Sequence, residues 1–135
     1  MRFSITGCAV ALILAATISA SASQLAGSEW RPTEIDNIEV PADSEMFVRF
    51  DSDDKVIGHG GCNRFFGSYK IAGDRIEIGP LGATRMACPE PIMEREVRFL
   101  QALGNARQFV RERINLSLTD SAGNSVLRLL QTDAD

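Results

Sequence analysis

From position 58 to position 69 the chain reads Gly-His-Gly-Gly-Cys-Asn-Arg-Phe-Phe-Gly-Ser-Tyr, and Cys88-Pro89 follows with 25 residues between the two cysteines. Four glycines in one strand-like stretch mean bulges, positive φ angles or close approach of another segment. The only other cysteine, Cys8, lies in an apparent leader. Once that leader is removed, an oxidising compartment makes Cys62 and Cys88 partners by default. The pair then pins one loop to another and governs what the chain can fold into.

The leader is read from Met1-Arg2, an apolar stretch from Ile5 to Ile18, and the small-x-small site Ala20-Ser21-Ala22 ahead of Ser23. That order of segments predicts a signal peptide over residues 1–22 and a periplasmic destination. The apolar run is shorter than the roughly 20 residues of a membrane-spanning helix, so no stable span is expected. Ile5-Thr6-Gly7-Cys8 loosely resembles a lipoprotein cleavage box, yet it precedes most of the hydrophobic run, which argues against a lipid anchor.

What remains after residue 22 is enough for one domain and too little for two. Without Arg2 the 14 Lys and Arg become 13, against 18 Asp and Glu, and the remainder carries a net charge of −5. With no basic tract, nucleic acid is not an expected partner.

Alternation places strands along the chain. Met46, Val48 and Phe50 share one side, a polar turn Asp51-Ser52-Asp53-Asp54 follows, and Lys55 to His59 returns. Phe65, Gly67, Tyr69 and Ile71 share the next face; Ala72-Gly73-Asp74 turns the chain into Arg75 to Ile78. After Pro80, Leu81 to Ala87 reads as a short extended segment. Pro91 then suits a first helical turn. Met93, Val97, Leu100 and Leu103 make an apolar stripe, Glu94 pairs with Arg98, and Gly104-Asn105 is the expected stop. Strands are expected again over 108–112, 114–119 and 125–130, with a polar tail at 132–135. One helix late in a run of short strands predicts an α+β domain, a curved, barrel-like antiparallel sheet with one main helix packed on it.

Several chemistries can be weighed. A phosphate-binding glycine loop needs a helix behind it, and here strands flank the glycines. His59 with Cys62 and Cys88 offers three soft ligands for zinc or a Cys-His dyad, but the chain has one histidine and no Cys-x-x-Cys, and a bridged thiol cannot attack. No cofactor or metal is expected, and no catalytic residue. The acidic turn fails as a calcium loop because Lys55, Val56 and Cys62 stand where Asp, Gly and Glu would be needed. Asn63, Arg64, Tyr69, Thr84 and Arg85 are the polar residues nearest the cysteines and the first candidates for a binding surface; their plain role is to satisfy buried backbone.

Gly61-Cys62-Asn63 with Phe65, Gly67 and Tyr69, then Thr84-Arg85-Met86-Ala87-Cys88-Pro89, then Glu96 with Phe99 and Leu103, together resemble the META domain family, the HslJ-like heat-shock family, over about Trp30 to Leu130. The resemblance implies a small α+β domain, often exported or envelope-attached and associated with stress. It implies a bridge between Cys62 and Cys88, backbone requirements at Gly61 and Gly67, and helix-to-sheet packing by Glu96, Phe99 and Leu103. It brings no catalytic residues. The connection at Arg111-Glu112-Arg113 is shorter than is common in that family.

The expectation is a domain over residues 23–131 that works as a monomeric, non-enzymatic, stress-related binding or interaction module of the bacterial envelope, its partner an unidentified protein or envelope component. Two alternatives stand beside it: a periplasmic inhibitor of a hydrolase such as lysozyme, because a rigid bridged loop suits a cleft, and a metal protein or enzyme centred on His59.

Overall fold

The computed structural model describes residues 2–4, 7–14 and 24–133. Half of the expected signal peptide, its cleavage site included, lies outside them; residues 2–4 and 7–14 are exposed, without helix or strand. Among the described residues no helix is long and apolar enough to cross a membrane.

Among the described residues Gln24 and Leu25 are helical, and ten strands and one long helix follow in order: β1 (Ser28–Ile35), β2 (Ile38–Glu39), β3 (Phe47–Phe50), β4 (Lys55–His59), β5 (Arg64–Ala72), β6 (Arg75–Ile78), β7 (Gly82–Ala83), α1 (Glu90–Asn105), β8 (Gln108–Glu112), β9 (Asn115–Thr119) and β10 (Ser125–Gln131). All pairings are antiparallel, and the sheet runs β10-β9-β8-β6-β5-β4-β3-β1 before β1 pairs back with β10. Eight strands thus close into a barrel, which removes the free sheet edges. β2 and β7 are short additions paired to β1 and β5. The expected curved sheet with one helix is the fold observed.

Alternation explains the hairpins. In β3 and β4, Val48, Phe50 and Val56 point inward, with Met46 buried just before β3, and the turn between them carries Asp54 at φ 64°. Gly73, at φ 63°, turns β5 into β6. The β8–β9 hairpin is tight: Glu112 pairs with Asn115, and Arg113 adopts φ 59° in place of a glycine.

The first two strands escaped the sequence reading, although Asp36-Asn37 is a recognisable signal. Both residues have positive φ between the paired Ile35 and Ile38, the backbone of a type I′ hairpin. β1 also carries Pro32 next to a register shift against β10, where a residue without an N–H does least harm to the ladder. The expected polar tail is partly structured: the Thr132 N–H donates to the Glu29 carbonyl at 3.0 Å, and Asp133 accepts from the Glu29 N–H at 3.1 Å.

Trp30, Phe50, Phe65, Phe99, Leu103, Leu116, Leu118 and Leu127 fill the barrel. Full burial of one such side chain stabilises by about 1.5–3 kcal/mol, so these residues dominate the fold's stability. β6 and β8 share a single register pair, Arg75 with Gln108, and the helix packs against β6, β10 and β1, sending Phe99, Ala102 and Leu103 into the core.

Two helix expectations need correction. The inward stripe is Glu96, Phe99, Ala102 and Leu103, whereas Val97 is 50 % exposed and Met93 and Leu100 lie at the flanks. Counting only apolar residues rotated the predicted face, because the helix buries a carboxylate where the pattern asks for a hydrophobe. Nor does Gly104-Asn105 stop the helix. Both are helical, and the end comes at extended Ala106, whose N–H reaches back to the Ala102 carbonyl at 3.1 Å while the Arg107 Nη1 donates to the Gly104 and Ala106 carbonyls at 2.8 and 2.7 Å. The Glu94–Arg98 pair forms as expected, at 2.9 Å.

Candidate functional site

The end of β4, the start of β5, the β7–α1 connection and the second turn of α1 meet at one end of the barrel. Cys62 and Cys88 are joined there, with S–S 2.07 Å and Cα atoms 6.0 Å apart. Because both sulfurs are consumed in the bridge, neither is available as a thiolate ligand or nucleophile.

Glu96 is buried to 4 % exposure, as is Asn63. One carboxylate oxygen, Oε1, accepts the backbone N–H of Asn63 at 2.5 Å and that of Cys62 at 3.2 Å; Oε2 accepts the Asn63 side-chain amide at 2.8 Å. Asn63 in turn holds the β7–α1 connection. Its Oδ1 accepts the Met86 N–H at 2.6 Å and the Thr84 hydroxyl at 3.0 Å, and its Nδ2 also donates to the Met86 carbonyl at 3.3 Å. The Arg64 N–H donates to the Thr84 hydroxyl at 3.2 Å, and the Thr84 N–H to the Arg64 carbonyl at 3.0 Å. Buried polar groups here satisfy one another, which makes the knot rigid.

The glycines fit around this knot for different reasons. Gly61 adopts φ 109°, closed to ordinary side chains, as the resemblance implied. Gly60 is needed for space, since a Cβ there would stand 2.4 Å from Glu96 Cγ and 2.6 Å from Oε1. Gly67, the other family position, is likewise needed for space: a Cβ there would stand 2.8 Å from Leu81 Cδ2 and 3.1 Å from the Pro80 carbonyl oxygen.

His59 accepts the Gly61 N–H on Nδ1 at 3.0 Å, so its imidazole shapes the glycine turn. Among the described residues no cluster of three or more His, Cys, Asp or Glu side chains is arranged to hold a metal ion.

Of the five polar candidates, the fold gathers Asn63 and Thr84 into the knot and leaves Arg64 and Arg85 exposed on its outside. Tyr69 is not part of the group. It is buried on the inner face of β5, packs edge-on against Phe50 with ring centroids 5.0 Å apart, and donates its hydroxyl to the Asp51 carbonyl at 2.6 Å. Burial pushes the Tyr69 phenol above its usual range, and the nearby Asp54, Asp51 and Asp53 push the same way. Pro89 is the helix N-cap, offering no side-chain hydrogen bond.

Sequence reasoning missed the exposed apolar side chains around the knot. Phe66, 57 % exposed, stands opposite Ile57 on the outer face, and Met86, 58 % exposed, projects from the segment that Asn63 grips. The one signal was Phe65-Phe66, two consecutive aromatics in a strand, one of which must face out.

Solved structures share this fold. A protein from Burkholderia xenovorans, solved by NMR, is 23 % identical with a TM-score of 0.70, covering 99 % of this chain and all of its own. A second NMR structure is 22 % identical with a TM-score of 0.65 over 81 % of this chain and 92 % of its own. A DUF4847 family protein from Bacteroides vulgatus is more distant, at 17 % identity and a TM-score of 0.51, covering 67 % of this chain and 62 % of its own. No curated protein matches the sequence. The META domain profile matches residues 23–133, from before the first strand to beyond the last, and the chain belongs to the META domain family.

Proposed function

We propose that this protein is an exported, non-enzymatic META domain of the bacterial cell envelope, which meets a protein partner during stress through the bridged end of its barrel. Residues 1–22 are its export signal. The observation that carries the reading is the fixed presentation of apolar and cationic side chains there. Met86 and Arg85 sit on a connection held by a disulfide and by the hydrogen bonds of Asn63, beside Arg64 and Phe66.

Arg, Met and aromatic residues are enriched at interface centres, and a pre-ordered loop loses little entropy on docking. The partner's matching face is apolar with an acidic rim, complementary to Arg64 and Arg85. The polar groups of the knot are spent on backbone, which leaves them a structural part in this reading.

Site-specific photocrosslinking in living cells tests it. A photoreactive residue at Phe66 or Met86 should give one recurrent protein adduct that the same residue at Val110, equally exposed at 58 %, does not give. Identical adducts at all three positions, or none, would overturn the docking surface. Cell fractionation tests export: an uncleaved chain confined to the cytoplasm rules it out.

A further inference from the structure

We propose that the depression over the β6–β8 seam is a binding site for a phosphomonoester. It lies at the other end of β5 from Arg64, about 20 Å away at the usual strand rise, and the inference does not rest on the docking surface described above. The cavity measures about 520 Å³, within the range of small-molecule sites.

Its walls are rich in donors. Lys70, Arg75, Arg107, Gln108 and Ser121 line it, with Glu77 the one carboxylate. Glu77 is the direct register partner of Lys70, so it offsets one cation and leaves Arg75 and Arg107 in excess. Among the described residues none of the three cations takes part in an ion pair. This is a local charge of +2 on a chain whose net charge is −4. A phosphomonoester at neutral pH carries about −1.5 to −2, which matches it.

The placement of these groups is set by backbone. Arg75 and Gln108 form the single register pair of the seam. The Arg107 N–H is bonded to the Thr119 carbonyl at 2.8 Å, and its Nη1 is held by the two carbonyls that end α1, which leaves Nε and Nη2 for a ligand. A guanidinium tethered on one nitrogen pays less ordering entropy when its remaining donors fork onto phosphate oxygens.

A phosphomonoester can come as a soluble metabolite or as a lipid headgroup, and the test separates them. Amide NMR on the purified protein would follow titration with glycerol 3-phosphate, with sodium chloride at matched ionic strength as control. Flotation with vesicles of phosphatidic acid, against phosphatidylcholine, gives the second arm. Saturable shifts confined to Arg75, Arg107, Gln108 and Ser121 support the site with a soluble ligand; co-flotation with phosphatidic acid alone supports it with a headgroup.

In either arm Arg75→Gln should weaken binding about tenfold, the usual effect of losing one charge-assisted hydrogen bond. Arg128→Gln, which removes a cation paired with Glu34 on another strand, should leave it unchanged. Arg75 is exposed, so a spectrum unaltered elsewhere verifies that the variant folds. Absence of binding in both arms, shifts that track ionic strength, or equal binding by Arg75→Gln would overturn the proposal.

Discussion

The Glu96 carboxylate, on the second turn of the helix, accepts both the backbone N–H and the side-chain amide of Asn63, 33 residues earlier and in the bend that leads into the fifth strand. A single buried side chain thus ties helix to barrel, beside the disulfide that ties the connection ahead of the helix covalently to the same bend.

Removing that carboxylate strands three donors. Glu96→Ala leaves the Cys62 and Asn63 N–H groups and the Asn63 amide without their acceptor, at about 1–3 kcal/mol for each group that water fails to reach. The expected loss is about 3 kcal/mol or more, seen as a melting temperature lowered by more than roughly 10 °C. Glu96→Gln keeps an oxygen for the two N–H groups but turns an amide toward the Asn63 amide, so it should fall between wild type and Glu96→Ala. An unchanged melting temperature for Glu96→Ala would show that this side chain does not anchor the helix.

Gly60 and Glu96 should be coupled. The Cβ of Gly60→Ala would displace Glu96 from its hydrogen bonds, a clash of the kind that costs about 1–3 kcal/mol. With Glu96→Ala already present, the same methyl enters vacated space and should cost much less. Melting temperatures of both single variants and the double variant complete the cycle. Strict additivity would mean that the glycine serves another purpose.

The bridge and the carboxylate act in parallel. Closing a loop of about this length stabilises by roughly 3–4 kcal/mol through the unfolded chain. Replacing Cys62 and Cys88 together by Ala should therefore lower denaturant stability by about that amount while leaving the folded amide spectrum largely intact, because Asn63 still holds Met86. Loss of the folded spectrum would show that the hydrogen-bonded knot cannot stand alone.

Tyr69 is the one tyrosine of the chain, so tyrosinate absorbance reports it directly. Its folded pKa is raised, first by burial and then by Asp54, Asp51 and Asp53, above the ordinary value of about 10. The folded state therefore holds the phenol proton more tightly than the unfolded chain does. The resulting stability is fully present below about pH 10 and is lost as pH rises through the folded value. The native absorbance midpoint should lie above that of denatured protein, and Tyr69→Phe should flatten the alkaline fall in stability over that window. Coincident native and denatured midpoints would refute it.

Local chemistry was enough for much of the fold. Met46, Val48 and Phe50 alternate because the third strand has one wet and one dry face. Asp51 to Asp54 and Ala72 to Asp74 turn because Asp and Gly tolerate the backbone they need, and two cysteines behind an export-like leader have each other as partners. The family pattern reached further and marked Glu96, Phe99 and Leu103 as the inward side of the helix, where apolar spacing alone had chosen Val97.

Tertiary structure decided the rest, because the deciding partners are distant in sequence. The pairing of the first strand with the last closes the barrel, and no local pattern at Trp30 or Leu129 announces it. The family pattern turns Glu96 toward the sheet, but only the fold brings two backbone N–H groups and an amide to its carboxylate. Gly60 reads equally as a bulge, a positive φ or a close approach until Glu96 is found in the space where a side chain would go. Tyr69 reads as a neighbour of Asn63, but six residues of extended strand carry it to the far side of the core.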